Sequence, residues 1–155
     1  MRRYLEDFVP GQTAEFGSLL VDADEIRDFA RRYDPQPFHL DAQAAARTPF
    51  GGLIASGFHT ASMVMRMMVD HYIDGESSLG SPGLGPIRWL LPVRPGDVLR
   101  VRARIVDVRP SASKPDRGAI TYEIEALNAR DEVVMRVENW VGIVRRRPEG
   151  AAHAG

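Results

Sequence analysis

The strongest constraint on the fold of this chain is the alternation of apolar and polar residues in its C-terminal half. Val101, Ala103 and Ile105 alternate with three arginines, and further alternating runs follow at residues 120–126 and 133–145. A period of two with one apolar face is typical of antiparallel strands that are covered on one side. The pattern therefore predicts a sheet of three or four antiparallel strands. In the last run the predicted apolar face consists of Val133, Met135, Val137, Val141 and Ile143.

The element that covers this sheet is predicted to be a long helix from Gly57 to about Tyr72. Methionines at positions 63, 65, 67 and 68 make it apolar around more than half of its circumference. Such a helix is usually buried against a sheet. The predicted buried face contains Phe58, Ala61, Met65, Met68 and Tyr72. A sheet wrapped around one long helix is an α+β architecture.

The N-terminal part supplies smaller elements. Residues 13–21 are predicted to form a first strand, and the acidic sequence at residues 22–25 is typical of a helix N-terminus. The helix that follows carries one apolar stripe, formed by Ile26, Phe29, Ala30 and Tyr33. A short helix is predicted over residues 41–47 and a loop over residues 75–85.

Length and charge exclude several classes of protein. The 155 residues suit one domain, predicted at residues 1–145, with a flexible tail at 146–155. A net charge of −1 offers no field for nucleic acid or an anionic membrane surface. The absence of cysteine excludes disulfides and thiolate catalysis. No apolar stretch is long enough to span a bilayer, and we expect a cytoplasmic protein that does not bind nucleic acid or membranes.

A carboxylate and an imidazole stand five positions apart between the two main helices. Asp34 and His39 lie on a segment that contains Pro35 and Pro37, each of which restricts its own φ and disfavours helix at the preceding residue. The segment predicts extended backbone at Asp34 and Gln36. It can be read either as a helix stop followed by a surface turn or as a rigid support for an acid/base pair.

The motif residues in and beyond this segment resemble those of the MaoC-like dehydratases, also called (R)-specific enoyl-CoA hydratases, of the hot dog fold. The resemblance is carried by Asp34, Pro37, Phe38, His39 and Asp41, and continues through the small-residue turn at 52–57 and the turn at 92–97. It covers nearly the whole chain. Gln36 stands where the family usually has Asn, and Ser56 stands where many members have His.

The resemblance implies a hydro-lyase that reversibly hydrates a 2-enoyl thioester to an (R)-3-hydroxyacyl thioester without a cofactor. Asp34 and His39 would be the acid/base pair acting on one water. Gly57, at the start of the apolar helix, would offer its amide to the thioester oxygen. Ser62 would support the reacting groups, while Gln36, Phe38 and Ile54 would contact substrate. The substrate would be an acyl-CoA or an acyl carrier protein thioester.

Several alternatives remain open at this point. Asp70 or Asp74 would be the carboxylate of a hot dog thioesterase, although both lie far along the helix from Gly57. A non-catalytic subunit that binds acyl thioesters is a third possibility. No third ligand accompanies His39 and Asp41, so we expect no metal.

Two features of the surface bear on partners. Edge strands of such a sheet are often satisfied by a second copy of the chain, which predicts a homodimer or higher homo-oligomer. Arginines that could meet phosphates, or simply form a solvated strand face, stand at positions 88, 94, 100, 102 and 104.

Overall fold

The computed structural model describes residues 3–148, which form one antiparallel sheet around one long helix. The strands are β1 (Thr13–Leu20), β2 (Ile87–Trp89), β3 (Val98–Pro110), β4 (Arg117–Leu127) and β5 (Val133–Arg145). Their order across the sheet is β1-β3-β4-β5-β2, and every neighbouring pair is antiparallel. The α-helices are α1 (Ala23–Tyr33), α2 (Pro37–Leu40), α3 (Ala42–Ala46) and α4 (Gly57–His71), and a 3₁₀ turn precedes β1 at Leu5–Asp7.

The sheet curves around α4, and the core lies between them. Val101, Ala103 and Ile105 of β3 are fully buried, as the alternating pattern predicts. On the other side of the core, α4 approaches β1 so closely that a Cβ at Gly17 would lie 2.5 Å from the sulfur of Met67. Gly17 has a φ of +81°, and the pairing of β1 with β3 shifts register between Phe16 and Leu19. This irregularity bends β1 around the helix. The predicted α+β hot dog architecture is thus confirmed.

The predicted buried face of α4 is partly wrong. Met68 and Tyr72 are buried, but Phe58 is 64% exposed and Met65 40% exposed. The residues of α4 that face the core are His59, Thr60, Met63, Val64, Met67 and Met68. A helix that is apolar around most of its circumference has no unique buried side in its own pattern. Contact with the sheet determines which side of α4 is buried, and it leaves an apolar stripe of the helix exposed.

The predicted apolar face of β5 is also partly wrong. Val134, Trp140 and Val144 are buried, whereas Val133, Val141 and Ile143 are only partly buried. For the residues from Trp140 onward the reason is a bulge, since Tyr122 pairs with Trp140 while Ile124 pairs with Val137. Two residues of β5 therefore oppose one of β4, and Asn139 adopts a φ of +52°. A bulge reverses the alternation of side chains beyond it. A separate register shift, between the pairs Ala126–Met135 and Leu127–Val133, lies at the start of the strand.

The structure differs from the sequence-based expectation at two further places. The segment around Pro37 is not only an extended turn, because α2 forms one helical turn there and Gln36 alone keeps extended backbone (φ −84°, ψ 143°). Asp34 has a φ of −151° but a ψ of 67°. Within the predicted flexible tail, Arg146 and Arg147 bond to Glu6 and Asp7 of the 3₁₀ turn. The rest of that tail, residues 149–155, lies outside the described residues.

Candidate active site

The end of α1 positions the carboxylate of the motif. Asp22 caps the start of this helix by accepting hydrogen bonds from the backbone N–H groups of Asp24 and Glu25. The last turn closes on Asp34, whose N–H donates to Ala30 O at 2.9 Å. Pro35 follows and cannot continue the helix. The carboxylate of Asp34 therefore projects from the C-terminal end of α1, a helix whose start and end are both fixed by hydrogen bonds.

The single turn of α2 positions the imidazole. Pro37 occupies its first position, where a missing N–H costs nothing, and His39 is 4% exposed. The Nδ1 atom of His39 lies 2.8 Å from the carbonyl oxygen of Ile54. Because a carbonyl only accepts, Nδ1 must carry a proton and donate it. This contact orients the ring and leaves Nε2 as the atom free to gain or lose a proton.

Three side chains converge on the carboxylate of Asp34. Oδ1 accepts a hydrogen bond from the amide of Gln36 at 2.7 Å, and Oδ2 accepts one from the hydroxyl of Ser56 at 2.7 Å. Nε2 of His39 lies 3.2 Å from the same Oδ2. The carboxylate and the imidazole therefore face one another, and they are not part of a solvated surface turn.

These contacts lower the pKa of Asp34 below its ordinary value. Partial burial acts in the opposite direction, because desolvation disfavours the charged form. Hydrogen bonds from Ser56 and Gln36, together with the neighbouring His39, outweigh that effect. Asp34 is therefore ionised at neutral pH, ready to accept a proton or to stabilise an imidazolium.

The start of α4 forms the wall beside this pair. Ser56 occupies the N-cap position, yet its hydroxyl makes no cap because it donates to Asp34. In the part of the chain that the structure describes, the first amide at this end with a backbone partner is that of Thr60, which donates to Ser56 O. The amide of Gly57 therefore stays available at the positive end of the helix dipole.

Trp89 of the edge strand β2 packs against Gly57. Its indole Nε1–H donates to the carbonyl oxygen of Gly57 at 2.8 Å. A Cβ at position 57 would lie 2.5 Å from Cε2 of this ring, so only glycine fits. The contact connects the start of α4 to the sheet edge and holds the helix end in place.

Asp34, His39 and Gly57 line one cavity of about 460 Å³ that opens to solvent. Gln36, Phe38 and Ile54, the other predicted contact residues, line the same cavity. Its remaining wall is apolar and contains Phe50, Phe58, Trp89, Leu90, Leu91 and Val93. A carboxylate, an imidazole and a free helix terminus at the end of an apolar cleft can move a proton and stabilise an oxyanion.

The structure does not bring Ser62 to this pair. Its hydroxyl donates to Phe58 O of its own helix at 2.8 Å, and its side chain lines a neighbouring cavity. Ser56 is the serine that reaches Asp34, a role that the sequence analysis did not assign to it. The signal for it was a small polar residue directly before the first residue of α4.

Comparison with known proteins identifies the family of the chain. The family of the MaoC like domain matches residues 7–127 of the chain. The chain belongs to the MaoC-like family. This confirms the resemblance inferred from the motif residues, and proteins named as dehydratases are among the relatives of the chain.

Individual MaoC-like relatives cover nearly the full length of the chain. A MaoC-like dehydratase from Rhodospirillum rubrum, known from its crystal structure, is 41% identical in sequence to this chain. The two structures superpose with a TM-score of 0.87, and the match covers 95% of this chain and 99% of that one. A 3-hydroxybutyryl-CoA dehydratase from Methylorubrum extorquens is 29% identical over 147 residues, which cover 92% of this chain and 85% of the relative. An uncharacterized Bacillus subtilis protein is 28% identical over 141 residues, covering 91% of this chain and 99% of the relative.

Two kinds of feature are absent from residues 3–148. No group of three or more His, Asp or Glu side chains in that range is arranged to hold a metal ion. None of the helices in that range combines the length and the apolar character needed to cross a membrane.

Proposed function

We propose that this MaoC-like protein hydrates a 2-enoyl thioester to a 3-hydroxyacyl thioester and catalyses the reverse dehydration. The observation that carries the proposal is the contact between Asp34 and His39 at the base of a cleft whose wall is the start of α4. The dehydratase relative from Methylorubrum extorquens supports an acyl-CoA as the substrate class. We propose the R configuration for the product, as the family resemblance implies.

In the proposed step, a water lies beside the pair and contacts both the carboxylate of Asp34 and Nε2 of His39, which are themselves 3.2 Å apart. The water oxygen bonds to C3 of the enoyl group while the pair takes one of its protons, and one proton is delivered to C2. The proton taken and the proton delivered balance, so the net change is the addition of one water. Because Nδ1 is committed to Ile54, only Nε2 of the ring takes part. A positioned acid or base of this kind contributes about 10²–10⁴-fold to rate.

Negative charge builds on the thioester oxygen as C3 is attacked. The amide of Gly57 is the proposed donor to that oxygen, supported by its place at the free end of α4 and in the cleft. The N-terminal end of the helix dipole favours negative charge. A preorganised donor of this type is worth about 10²–10³ in rate.

The proposed path of the acyl chain leads away from the pair along α4. Phe58 lines the catalytic cavity and also a second cavity of about 610 Å³, whose other walls include Met65, Trp140 and Val137. This second cavity is apolar and suits a hydrocarbon chain. The uncovered apolar stripe of α4 therefore has a use in substrate binding.

The test of the proposal follows the conjugated enoyl thioester by its absorbance. Incubation with a series of 2-enoyl-CoA esters, short, long and methyl-branched, should consume the conjugated chromophore and yield the 3-hydroxyacyl-CoA with its thioester intact. Chiral analysis of the product tests the R assignment. Release of free thiol without hydration would instead support a thioesterase, and binding without turnover a non-catalytic subunit.

The contacts of Asp70 on α4 and of Asp74 just beyond the end of that helix do not favour the thioesterase. Asp70 pairs with Arg66 at 2.8 Å, and Asp74 accepts hydrogen bonds from the backbone N–H groups of Arg3 and Glu76. Neither carboxylate lines the cavity that holds Asp34 and His39.

Ser56→Ala should raise the pKa of Asp34, because it removes a hydrogen bond that favours the ionised form. We expect kcat/KM at neutral pH to fall about tenfold, since a hydrogen bond to a charged group is lost. The acid limb of the profile of kcat/KM against pH should move to higher pH, because the ionised form is the working one. Ser111→Ala, in the turn between β3 and β4, is the matched control, and an unmoved acid limb in Ser56→Ala would contradict the role assigned to Ser56.

The same substitution should change acid stability. Since the folded protein lowers the pKa of Asp34, the ionised carboxylate stabilises the fold above its ordinary pKa, and this contribution is lost as the pH falls through the folded value. Ser56→Ala should bring that loss to a higher pH. Unfolding midpoints measured from about pH 5 down to about pH 2 would show it, because the unfolded carboxyl titrates near 3.9 and the folded one lower.

We also propose that the protein is a homodimer or higher homo-oligomer. The edge strand β2 is short and exposed on one side, and Leu84, Trp89, Leu90 and Leu91 around it are 39–47% exposed. Unpaired edges with apolar neighbours are commonly covered by a second copy of a chain. Sedimentation at micromolar concentration should show a dimer or larger species, and a single monomeric species would contradict this proposal.

A further inference from the structure

The structure separates one arginine from the five that the sequence analysis considered for phosphate binding. On the outer face of the sheet, Arg100 pairs with Glu15 and Asp131, Arg102 with Glu15 and Glu125, and Arg104 with Glu123, at 2.7–3.2 Å. Arg88 lies 3.8 Å from Glu138. Within residues 3–148, the guanidinium of Arg94 contacts no carboxylate. Four of the five are therefore engaged in ion pairs, and Arg94 remains.

Arg94 adjoins the catalytic cavity at the exposed wall residue Phe50, which we call the rim of the cavity. It follows Val93, which lines that cavity and whose carbonyl oxygen accepts a hydrogen bond from the N–H of Ala55 at 2.8 Å. The guanidinium donates to the carbonyl oxygen of Phe50, another residue of the cavity wall. A guanidinium has five N–H donors, and the contact with Phe50 uses one nitrogen. The side chain is thus held at the mouth of the cleft with donors to spare.

A wall of aromatic rings connects this rim to the reacting pair. The ring of Phe50 lies 5.3 Å from that of Phe38, which lies 4.5 Å from the imidazole of His39. Arg94 is therefore at the outer end of a continuous wall whose inner end is His39. A thioester held at His39 with its acyl chain directed along α4 must leave the cleft with its thiol arm directed toward such a rim.

We propose that Arg94 binds the phosphate group at the end of the pantetheine arm of the thioester substrate. This inference depends on the proposed function for its substrate class. The chemistry is a phosphate ester recognised by a planar guanidinium, which can donate two parallel hydrogen bonds to phosphate oxygens. That phosphate occurs both in coenzyme A and in the phosphopantetheine of an acyl carrier protein. Arg94 distinguishes a pantetheine arm that carries the phosphate from an arm that lacks it. The proposal requires no contact between the protein and the nucleotide of coenzyme A.

The experiment compares one enoyl group on three thiols, namely pantetheine, 4′-phosphopantetheine and coenzyme A. In the unaltered protein, kcat/KM should be about tenfold or more higher for the two phosphorylated thiols than for pantetheine, as expected of a charge-assisted contact. In Arg94→Gln this ratio should fall toward one, through KM and with kcat retained. The advantage should also shrink as salt is raised, because the contact is at an open rim.

The matched control is Arg109→Gln, which removes the same charge from an arginine whose side chain is 80% exposed at the far end of β3. It should keep the preference for phosphorylated thiols. A further gain for coenzyme A over phosphopantetheine that survives in Arg94→Gln would assign the nucleotide to other residues. An equal loss for all three esters in Arg94→Gln would show that Arg94 only supports the loop through Phe50 and would overturn the inference.

Failure of the proposed function can be distinguished from failure of this inference. If no enoyl ester is hydrated, calorimetric binding of phosphopantetheine and pantetheine esters gives a readout that is independent of turnover. The phosphorylated ester should bind about tenfold more tightly than the bare one to the unaltered protein and lose that advantage in Arg94→Gln. Equal affinities for the two esters in the unaltered protein would reject the role of Arg94.

Discussion

Asp34→Asn is expected to lower kcat for enoyl-thioester hydration by about 10³-fold or more, while the protein stays folded. The amide has nearly the shape of the carboxylate but cannot accept a proton from water, and it cannot stabilise an imidazolium at His39. His39→Ala should cause a loss of the same order, because it removes Nε2, the ring nitrogen that is not hydrogen-bonded to Ile54. The measurement is kcat and KM from the absorbance of the enoyl thioester.

The controls for this prediction separate chemistry from folding. His71→Ala changes an exposed histidine at the end of α4, outside the catalytic cavity, and should retain activity. The thermal unfolding midpoint of Asp34→Asn should fall by only a few degrees, because the stabilisation from the ionised carboxylate is lost while the fold stays intact. The double variant of Asp34 and His39 should be little slower than either single variant, because residues that act as a unit are not additive. More than about a tenth of the original kcat in either variant would contradict a role in proton transfer.

Gly57→Ala is expected to have the second largest effect. The new Cβ would lie 2.5 Å from Cε2 of Trp89, so either the indole or the start of α4 must move. Either movement disturbs the hydrogen bond from Trp89 to Gly57 O and displaces the amide proposed to hold the thioester oxygen. We expect a loss of about 10²-fold in kcat, the range for an oxyanion donor. Overpacking should also reduce the free energy of unfolding by about 1–3 kcal/mol.

A second substitution tests the cause of that effect. Replacing Trp89 by Leu in the Gly57→Ala background removes the ring that the methyl group would meet, and it should recover part of the lost stability. Gly75→Ala is the matched control, because a Cβ at position 75 would have no atom within 4 Å. This substitution should leave both stability and kcat unchanged. If Gly57→Ala were as active and stable as the unaltered protein, the close approach of Trp89 would have no bearing on the site.

Much of the fold is predictable from short-range patterns. The alternation in β3 and β4 survives in the structure because each strand has one face on the core and one in water. The limits of α1 follow from a cap at Asp22 and a proline after Asp34, both of which act on neighbouring backbone. Asp41 caps α3 in the same way, through the N–H groups of Gln43 and Ala44.

The errors arise where a local pattern is compatible with more than one packing. The methionine-rich α4 has apolar residues on several sides, so its contact with the sheet decided that Met65 faces outward and His59 inward. In β5 the bulge at Asn139 reversed the alternation, because pairing with β4 placed two residues opposite one. Neither outcome can be predicted from the residues of α4 or β5 alone.

The sequence by itself determined the family, the order of the main elements and the candidate pair Asp34 and His39, because each depends on residues close together along the chain. Only the tertiary structure decided which atoms of that pair face one another. The contact of Nδ1 of His39 with Ile54, the hydroxyl of Ser56 on Asp34 and the place of Arg94 beside Phe50 join residues 15, 22 and 44 positions apart. Such contacts exist only after the sheet has closed around α4, since packing and not local backbone preference brings these groups within hydrogen-bond distance.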